Sequence, residues 1–232
     1  MSNKKNIFLF GYGNFGRQLY KNLSALGHHI KVVSANEDFI EQALSDDIQA
    51  ISINIKRNDD IETLNINQES DLLYCAMNKT ANNLFLVLTL RAMYPKANII
   101  SISNSFENTR KLKYAGADSV IDLYESTSRR VVNMLTKPAV TRALDEIIYN
   151  QNSLKMAEIE LPSESMFDGE FVKDIEFKAM GVILIAIIDK ELGRELIFID
   201  HRINHKLDAG DVLVVVGEKE NISKLQERVK RK

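Results

Sequence analysis

The segment Gly11-Tyr12-Gly13-Asn14-Phe15-Gly16 constrains this chain more than any other. It follows the apolar run Ile7-Phe8-Leu9-Phe10 and opens a stretch in which Phe15, Leu19, Leu23 and Leu26 recur at spacings of three and four. Strand, glycine turn and helix in that order make a G-x-G-x-x-G match informative. The first glycine permits the turn. The second lets backbone N–H groups approach a phosphate, and the third lets helix and strand pack closely. The helix N-terminus adds unpaired N–H groups and the positive end of a dipole. Gly11, Gly13, Asn14, Phe15 and Gly16 are therefore candidate nucleotide-binding residues. The alternative is a tight turn that holds no ligand.

Apolar runs and helical stretches alternate from there to residue 122. Strands are expected at 6–10, 30–34, 50–53, 72–76, 99–103 and 119–122. The helices between them include 14–26, 38–45, 82–94 and 106–115. On the second of these, Phe39, Ala43 and Leu44 are expected inward; on the third, Leu84, Val87, Leu88 and Arg91 share a helical period. Such alternation, with short connections, predicts an α/β fold: a Rossmann-like, doubly wound parallel sheet. Ligands of such sheets sit at the carboxyl ends of the strands. The residues just past the strands are Ser34, Asn36, Asn54, Met77, Asn78 and Asn104. Of these, Ser34, Asn36, Asn54 and Asn78 join the candidate set.

Residues 1–122 are thus expected to form one domain. Residues 123–155 carry no strand signal and read as two helices broken at Pro138, which lacks an N–H and clashes with the preceding turn. Val131, Val132, Leu135, Val140, Leu144, Ile147 and Ile148 form their apolar stripe. Two readings stay open: packing on its own domain, or contact with a second subunit. Residues 156–232 read as a small α+β domain of roughly 75 residues. Strands are expected at 156–161, 181–189, 195–200 and 212–216, a short helix at 171–177, and a last helix at 221–229.

Composition narrows the function. Thirty basic and 32 acidic side chains give a net charge of −2, which asks for no nucleic-acid partner. Val182–Ile188, the longest apolar stretch, is far short of the ~20 residues a membrane span needs, and the N-terminus lacks a signal-peptide apolar region. The single cysteine, Cys75, lies in an apolar run, as expected for a buried thiol in a reducing, cytoplasmic compartment. An oxidoreductase would need an acid or base beside a nicotinamide and a second domain that forms a substrate pocket. The second domain is small for that task. His201 and His205 stand four apart without an accompanying Glu or Cys at a ligand spacing, so no metal site and no enzyme are expected.

Three stretches carry a resemblance that spans nearly all of the chain. They are Phe10–Gly16, the segment Leu112-Lys113-Tyr114-Ala115-Gly116-Ala117-Asp118-Ser119-Val120-Ile121, and Gly181–Ala186 followed by Asp208–Gly217. Together they resemble the RCK family, the regulators of potassium conductance, also described as paired TrkA-N and TrkA-C domains. The resemblance implies homodimers that stack into an octameric ring beneath a membrane-embedded potassium channel or transporter. An effector bound to the ring, an adenine nucleotide such as NAD(H) or ATP/ADP, would then bias the pore. The stretch from Arg129-Arg130 to Leu144-Asp145 is more similar to the channel-linked branch than to free-standing Ktr or Trk subunits.

The chain departs from the family at three places. Many members carry an acidic residue at the end of strand two, where this chain has Ser34. Ktr-type ATP binders have an arginine where this chain has Asn14, with Arg17 lying one turn on. The positions that hold calcium in one archaeal member align with Ala76, Ile102 and Asn104, so no calcium is expected between them.

Overall fold

Strand β1 (Asn6–Phe10) shows why the apolar runs are continuous rather than alternating. Side chains alternate across a strand. Ile7 and Leu9 enter one core, with Ile30, Val32 and Ala43. Phe8 and Phe10 enter another, with Leu73, Cys75, Ile99, Leu86 and Leu90. A strand covered on both faces has no polar side to offer, as parallel sheets with helices on both faces require.

A computed structural model describes residues 4–148, 154–193, 195–200 and 204–230. His201, Arg202, the end of the expected helical stretch and residues 231 and 232 lie outside them. The chain divides into two compact units, residues 1–132 and 133–232.

The first unit contains, in order, β1, α1 (Asn14–Ala25), β2 (His29–Ser34), α2 (Glu37–Ser45), β3 (Ala50–Ser52), α3 (Asn58–Glu62), β4 (Leu72–Cys75), α4 (Thr80–Met93), β5 (Asn98–Ser103), α5 (Phe106–Tyr114) and β6 (Ser119–Asp122). All strand pairings are parallel, in the order β3-β2-β1-β4-β5-β6. The order reverses between β1 and β4, which places the switch point beside the glycine turn.

Two helix faces differ from the sequence expectation. In α4 the buried residues are Asn83, Leu86, Val87 and Leu90, whereas Leu88 is exposed. The run Leu84-Phe85-Leu86-Val87-Leu88 is apolar all round and sets no phase. In α2 the buried residues are Ile40 and Ala43, whereas Leu44 is exposed. Leu26 at the end of α1 is exposed as well, where Gly27 turns the chain at φ +81°.

The segment Ala115–Asp118 owes its pattern to a tie between α4 and β6. Gly116 has φ +106°, a conformation glycine adopts without steric cost. The Arg91 guanidinium donates to Gly116 O at 2.9 Å, to Pro95 O at 2.6 Å and to Asp118 Oδ2 at 2.7 Å. The same Asp118 oxygen accepts from the Ile99 N–H at 2.7 Å, on β5.

Two helices follow, α6 (Leu123–Thr136) and α7 (Pro138–Ile148). Pro138 occupies the first position of α7, where its missing N–H costs nothing. Neither helix buries any residue in the single chain. Val131, Leu135, Val140, Leu144 and Ile148 are all exposed.

The second unit is built on an antiparallel sheet of β7 (Leu154–Glu160), β8 (Val182–Ile188), β9 (Leu196–Phe198) and β10 (Val212–Glu218), in the order β7-β10-β8-β9. Two 3₁₀ turns, Val172–Asp174 and Phe177–Met180, replace the expected short helix. Helix α8 (Lys219–Val229) places Ile222, Leu225 and Val229 in a core with Leu213, Val215, Ile187 and Phe177. His205 belongs to a loop and is a structural partner: its Nε2 lies 3.2 Å from Asp211 Oδ2. Asp211 also accepts from the N–H groups of Lys190 and Asp208, so it clamps the turn before β10.

Candidate functional site

The end of β1 is drawn onto β4. Ala76 N–H donates to Phe10 O, and Gly11 N–H donates to Val33 O, both at 2.8 Å. Gly11 adopts φ +108°, and a Cβ there would lie 2.8 Å from the Ala76 backbone. A Cβ on Gly16 would lie 2.2 Å from Gly11 O, so the third glycine brings α1 against the turn. Gly13 is the N-cap of α1 and has no side chain with which to cap it. The first-turn N–H groups of α1 are therefore open to an anion.

A cavity of about 320 Å³ opens beside this turn, at the carboxyl ends of β1, β2 and β4. Of the expected residues, Gly11, Gly13, Ser34, Asn36 and Asn78 line it. Met77 lines it too. Asn14, Phe15 and Gly16 sit in the first turn of α1. Asn14 Oδ1 accepts from Arg17 at 2.7 Å, and the same guanidinium donates to Gln42 Oε1 at 3.1 Å, linking α1 to α2. Asn54 is held elsewhere: its N–H donates to Asp60 Oδ2, and its Oδ1 accepts from Lys56 N–H. Asn104 is tied to Thr80 and Asn108.

The sequence reading missed Tyr12, Phe39, Lys79 and Asn82 as lining residues. Lys79 was findable as the residue that opens α4 just past a strand; Phe39 was read only as a core position. Lys79 brings a positive charge, and Phe39 and Met77 bring apolar surface. Burial raises the pKa of the Tyr12 phenol, and the Asp46 carboxylate adds to the effect, so the hydroxyl stays neutral.

At the end of β2 the acceptors are already engaged. Asn36 N–H donates to Ser34 Oγ at 3.0 Å, and Phe39 N–H donates to Asn36 Oδ1 at 3.2 Å. The Ser34 hydroxyl and the Asn36 amide retain their hydrogens as donors for a ligand. A carboxylate here would accept from ribose hydroxyls; this pair presents neutral donors instead.

Comparison with known proteins agrees with this architecture. The TrkA-N domain model matches residues 7–123 and the TrkA-C domain model matches residues 156–230. A Methanocaldococcus jannaschii protein named "Probable potassium channel protein 2" is 25% identical over 99% of this chain and 68% of its own length. "Potassium channel protein 1" of the same organism is 20% identical over 97% of this chain and 66% of its own. The chain thus spans about two thirds of the length of these two relatives. "Ktr system potassium uptake protein C" of Bacillus subtilis is 20% identical, and the match covers 97% of this chain and 98% of that protein. Among solved structures, the GsuK channel bound to NAD matches 98% of this chain and 39% of its own, with a TM-score of 0.50 at 18% identity. The TrkA-N domain of the Escherichia coli inner membrane protein ybaL matches 58% of this chain and 99% of its own, with a TM-score of 0.51 at 18% identity. Among the described residues, no helix is long and apolar enough to cross a membrane. With both domain models matched in order along nearly its whole length, the chain belongs to the RCK family, in which a TrkA-N domain precedes a TrkA-C domain.

Proposed function

We propose that this chain is a cytoplasmic, ligand-sensing regulatory domain that couples an adenine nucleotide to the opening of a potassium pore. The cavity at the switch point carries the reading. It joins open N–H groups of α1, the Lys79 charge and neutral donors at Ser34 and Asn36. Those features suit a phosphate and a ribose. The GsuK channel, bound to NAD, lends support as a structural neighbour. Residues 1–122, 123–155 and 156–232 act in this reading as sensing lobe, dimerisation segment and second lobe. The exposed stripe of α6 and α7 supports a homodimer, with the dimers stacked into an octameric ring at the inner face of the membrane. A regulatory domain of this kind turns over no substrate; a nicotinamide-linked turnover assay tests that directly.

The channel-linked branch is favoured by the stretch from Arg129 to Asp145. A free-standing Ktr-type subunit is the second reading, favoured by the similarity to the Bacillus subtilis Ktr system protein. The size of the native protein on an immunoblot separates them. For the sensing role, a ligand at 100 times its Kd adds about 2.7 kcal/mol to stability. That corresponds to a rise in Tm of roughly 5–10 °C for a chain of this length. No shift with any adenine nucleotide up to millimolar concentration overturns the nucleotide-sensing reading.

A further inference from the structure

In the second unit, a cavity of about 620 Å³ opens between the second 3₁₀ turn and helix α8. The volume lies within the range of small-molecule sites, about 300–1,000 Å³. One wall carries Lys178 of the turn and Gly181, which closes it. The other carries Asn221, Lys224, Glu227 and Arg228 of α8. Asn221, Lys224 and Arg228 stand three and four apart and so share one helix face.

A glycine holds the two walls together. Gly181 adopts φ +73°, and a Cβ there would lie 2.3 Å from Asn221 Nδ2. Without that Cβ, the Asn221 carboxamide donates to Gly181 O at 3.4 Å and ties α8 to the turn.

The charge in the cavity runs against that of the chain. Three cations and one carboxylate line it, whereas the whole chain carries a net charge of −2. Among the described residues, none of Lys178, Lys224 and Arg228 is engaged in an ion pair. Arg228, in the last turn of α8, complements the helix dipole. That account does not reach Lys224, one turn earlier, or Lys178, on another element. Like charges gathered around one concave space repel one another, and an anion between them relieves the repulsion.

We propose that this cavity binds a compact anion bearing two phosphate groups, at a site separate from the glycine-turn crevice. The Arg228 guanidinium supplies the fork that suits two phosphate oxygens, and Lys178 and Lys224 act as point charges on the two walls. The Asn221 amide keeps a second N–H to donate. Glu227 offsets one of the three positive charges, so the lining favours a ligand of two negative charges over one of a single charge. Inorganic diphosphate and the cardiolipin headgroup share this chemistry. The inference does not depend on the nucleotide-sensing reading.

Calorimetric titration of the whole chain with sodium pyrophosphate tests the free anion. Co-sedimentation with phosphatidylcholine vesicles, with and without cardiolipin, tests the headgroup. The wild type should bind at least one of the two probes. Lys224→Ala and Arg228→Gln should each weaken that binding roughly tenfold, as loss of one charge-assisted hydrogen bond would. Glu227→Gln should strengthen it several-fold by removing the opposing charge. Lys219→Ala, on the same helix but outside the cavity, should change nothing. Gly13→Asp should also leave binding unchanged, which separates this site from the crevice beside α1. Pyrophosphate binding without vesicle binding assigns a free anion. Cardiolipin-dependent co-sedimentation that Lys224→Ala abolishes assigns a headgroup. Binding of neither probe up to millimolar concentration, binding that Lys224→Ala and Arg228→Gln leave intact, or binding that Gly13→Asp removes overturns the proposal.

Discussion

Asn78 Oδ1 lies over Gly13, so close that a Cβ on residue 13 would meet it at 2.3 Å. The contact joins β4's loop to the turn after β1, across the line where the strand order reverses. The missing side chain of the motif's second glycine leaves room for Asn78.

Gly13→Asp should therefore abolish nucleotide binding while leaving the fold intact. The clash is with the end of an exposed side chain, which can swing away, but a carboxylate would then occupy the anion position. Calorimetry with ADP should show at least a tenfold loss, with unchanged circular dichroism. Gly16→Ala should do the reverse damage. Its Cβ would lie 2.2 Å from the Gly11 carbonyl oxygen, a backbone atom that cannot rotate aside. Overpacking of this kind typically costs about 1–3 kcal/mol, and urea denaturation measures it. A Gly16→Ala protein as stable as wild type would show that the turn has more slack than its geometry implies.

The tie between Arg91 and Asp118 yields a second stability prediction. Asp118→Ala removes an acceptor from both the Arg91 guanidinium and the Ile99 N–H. Hydrogen bonds to charged groups contribute about 1.5–3 kcal/mol each, and partial exposure of this pair favours the low end. A loss of about 1–3 kcal/mol in denaturant is expected. Nucleotide affinity should be unchanged, since the tie lies at the opposite ends of the strands from the cavity.

How far the chain could be read from its residues depends on how sharply each segment sets its own phase. The glycine turn and strand β1 were legible because apolar runs of that length, flanked by turn residues, suit strands buried on both faces. Helix α4 was harder. Its run of five apolar residues is compatible with several inward faces, and tertiary packing chose the one containing Asn83. Nothing in the sequence marks Asn83 as the bridge between Met77 and Ile102, because its partners are backbone groups brought near only by the sheet. Ser34 and Asn36 were legible as strand-end residues. Their engaged acceptors were not, since those depend on the turn geometry at the start of α2. The Asp211 clamp on His205 likewise required the fold of the second unit.

Cys75 should make stability fall at alkaline pH. Burial on β4 raises its thiol pKa far above the ordinary value of about 8.5. In the unfolded chain the thiol loses its proton above that ordinary value, whereas in the folded chain it keeps it. The folded state then binds more protons, and stability declines as pH rises, by about 1.4 kcal/mol per pH unit above the unfolded pKa. Cys75→Ala should remove this part of the slope between pH 9 and 10, at a cost in packing that is the same at every pH. Denaturation at pH 7, 9 and 10 checks it. Parallel stability curves for the two proteins would argue against a strongly raised pKa.

Calcium should bind nowhere between residues 76, 102 and 104. Hard cations take several oxygen ligands, usually carboxylates. Ala76 and Ile102 offer no side-chain oxygen, and Asn104 Oδ1 already accepts from Thr80 and Asn108. Millimolar calcium should leave Tm unchanged. A calcium-dependent rise that Asn104→Ala abolishes would place an ion at this position after all.

The exposed stripe on α6 and α7 bears on assembly. In the single chain, Val140, Leu144 and Ile148 are exposed along α7, at spacings of four that put them on one face. Val131 and Leu135 on α6 are exposed as well. If the stripe stays in water, a charge at Ile148 costs little in either stability or assembly. If it packs on a second copy, burial of each isoleucine contributes about 1.5–3 kcal/mol, and two-fold symmetry makes one substitution count twice. A carboxylate left unpaired in that interface adds a further penalty. Ile148→Asp should therefore give a folded, largely monomeric protein with near-normal circular dichroism, while the wild type is dimeric or larger. Ligand-dependent gating should be lost with the dimer, because an effector can shift a pore only through states that differ in subunit contacts. Light scattering at tens of micromolar decides the point. A monomeric wild type, or an Ile148→Asp variant that remains dimeric, would rule out the α7 stripe as the dimer contact.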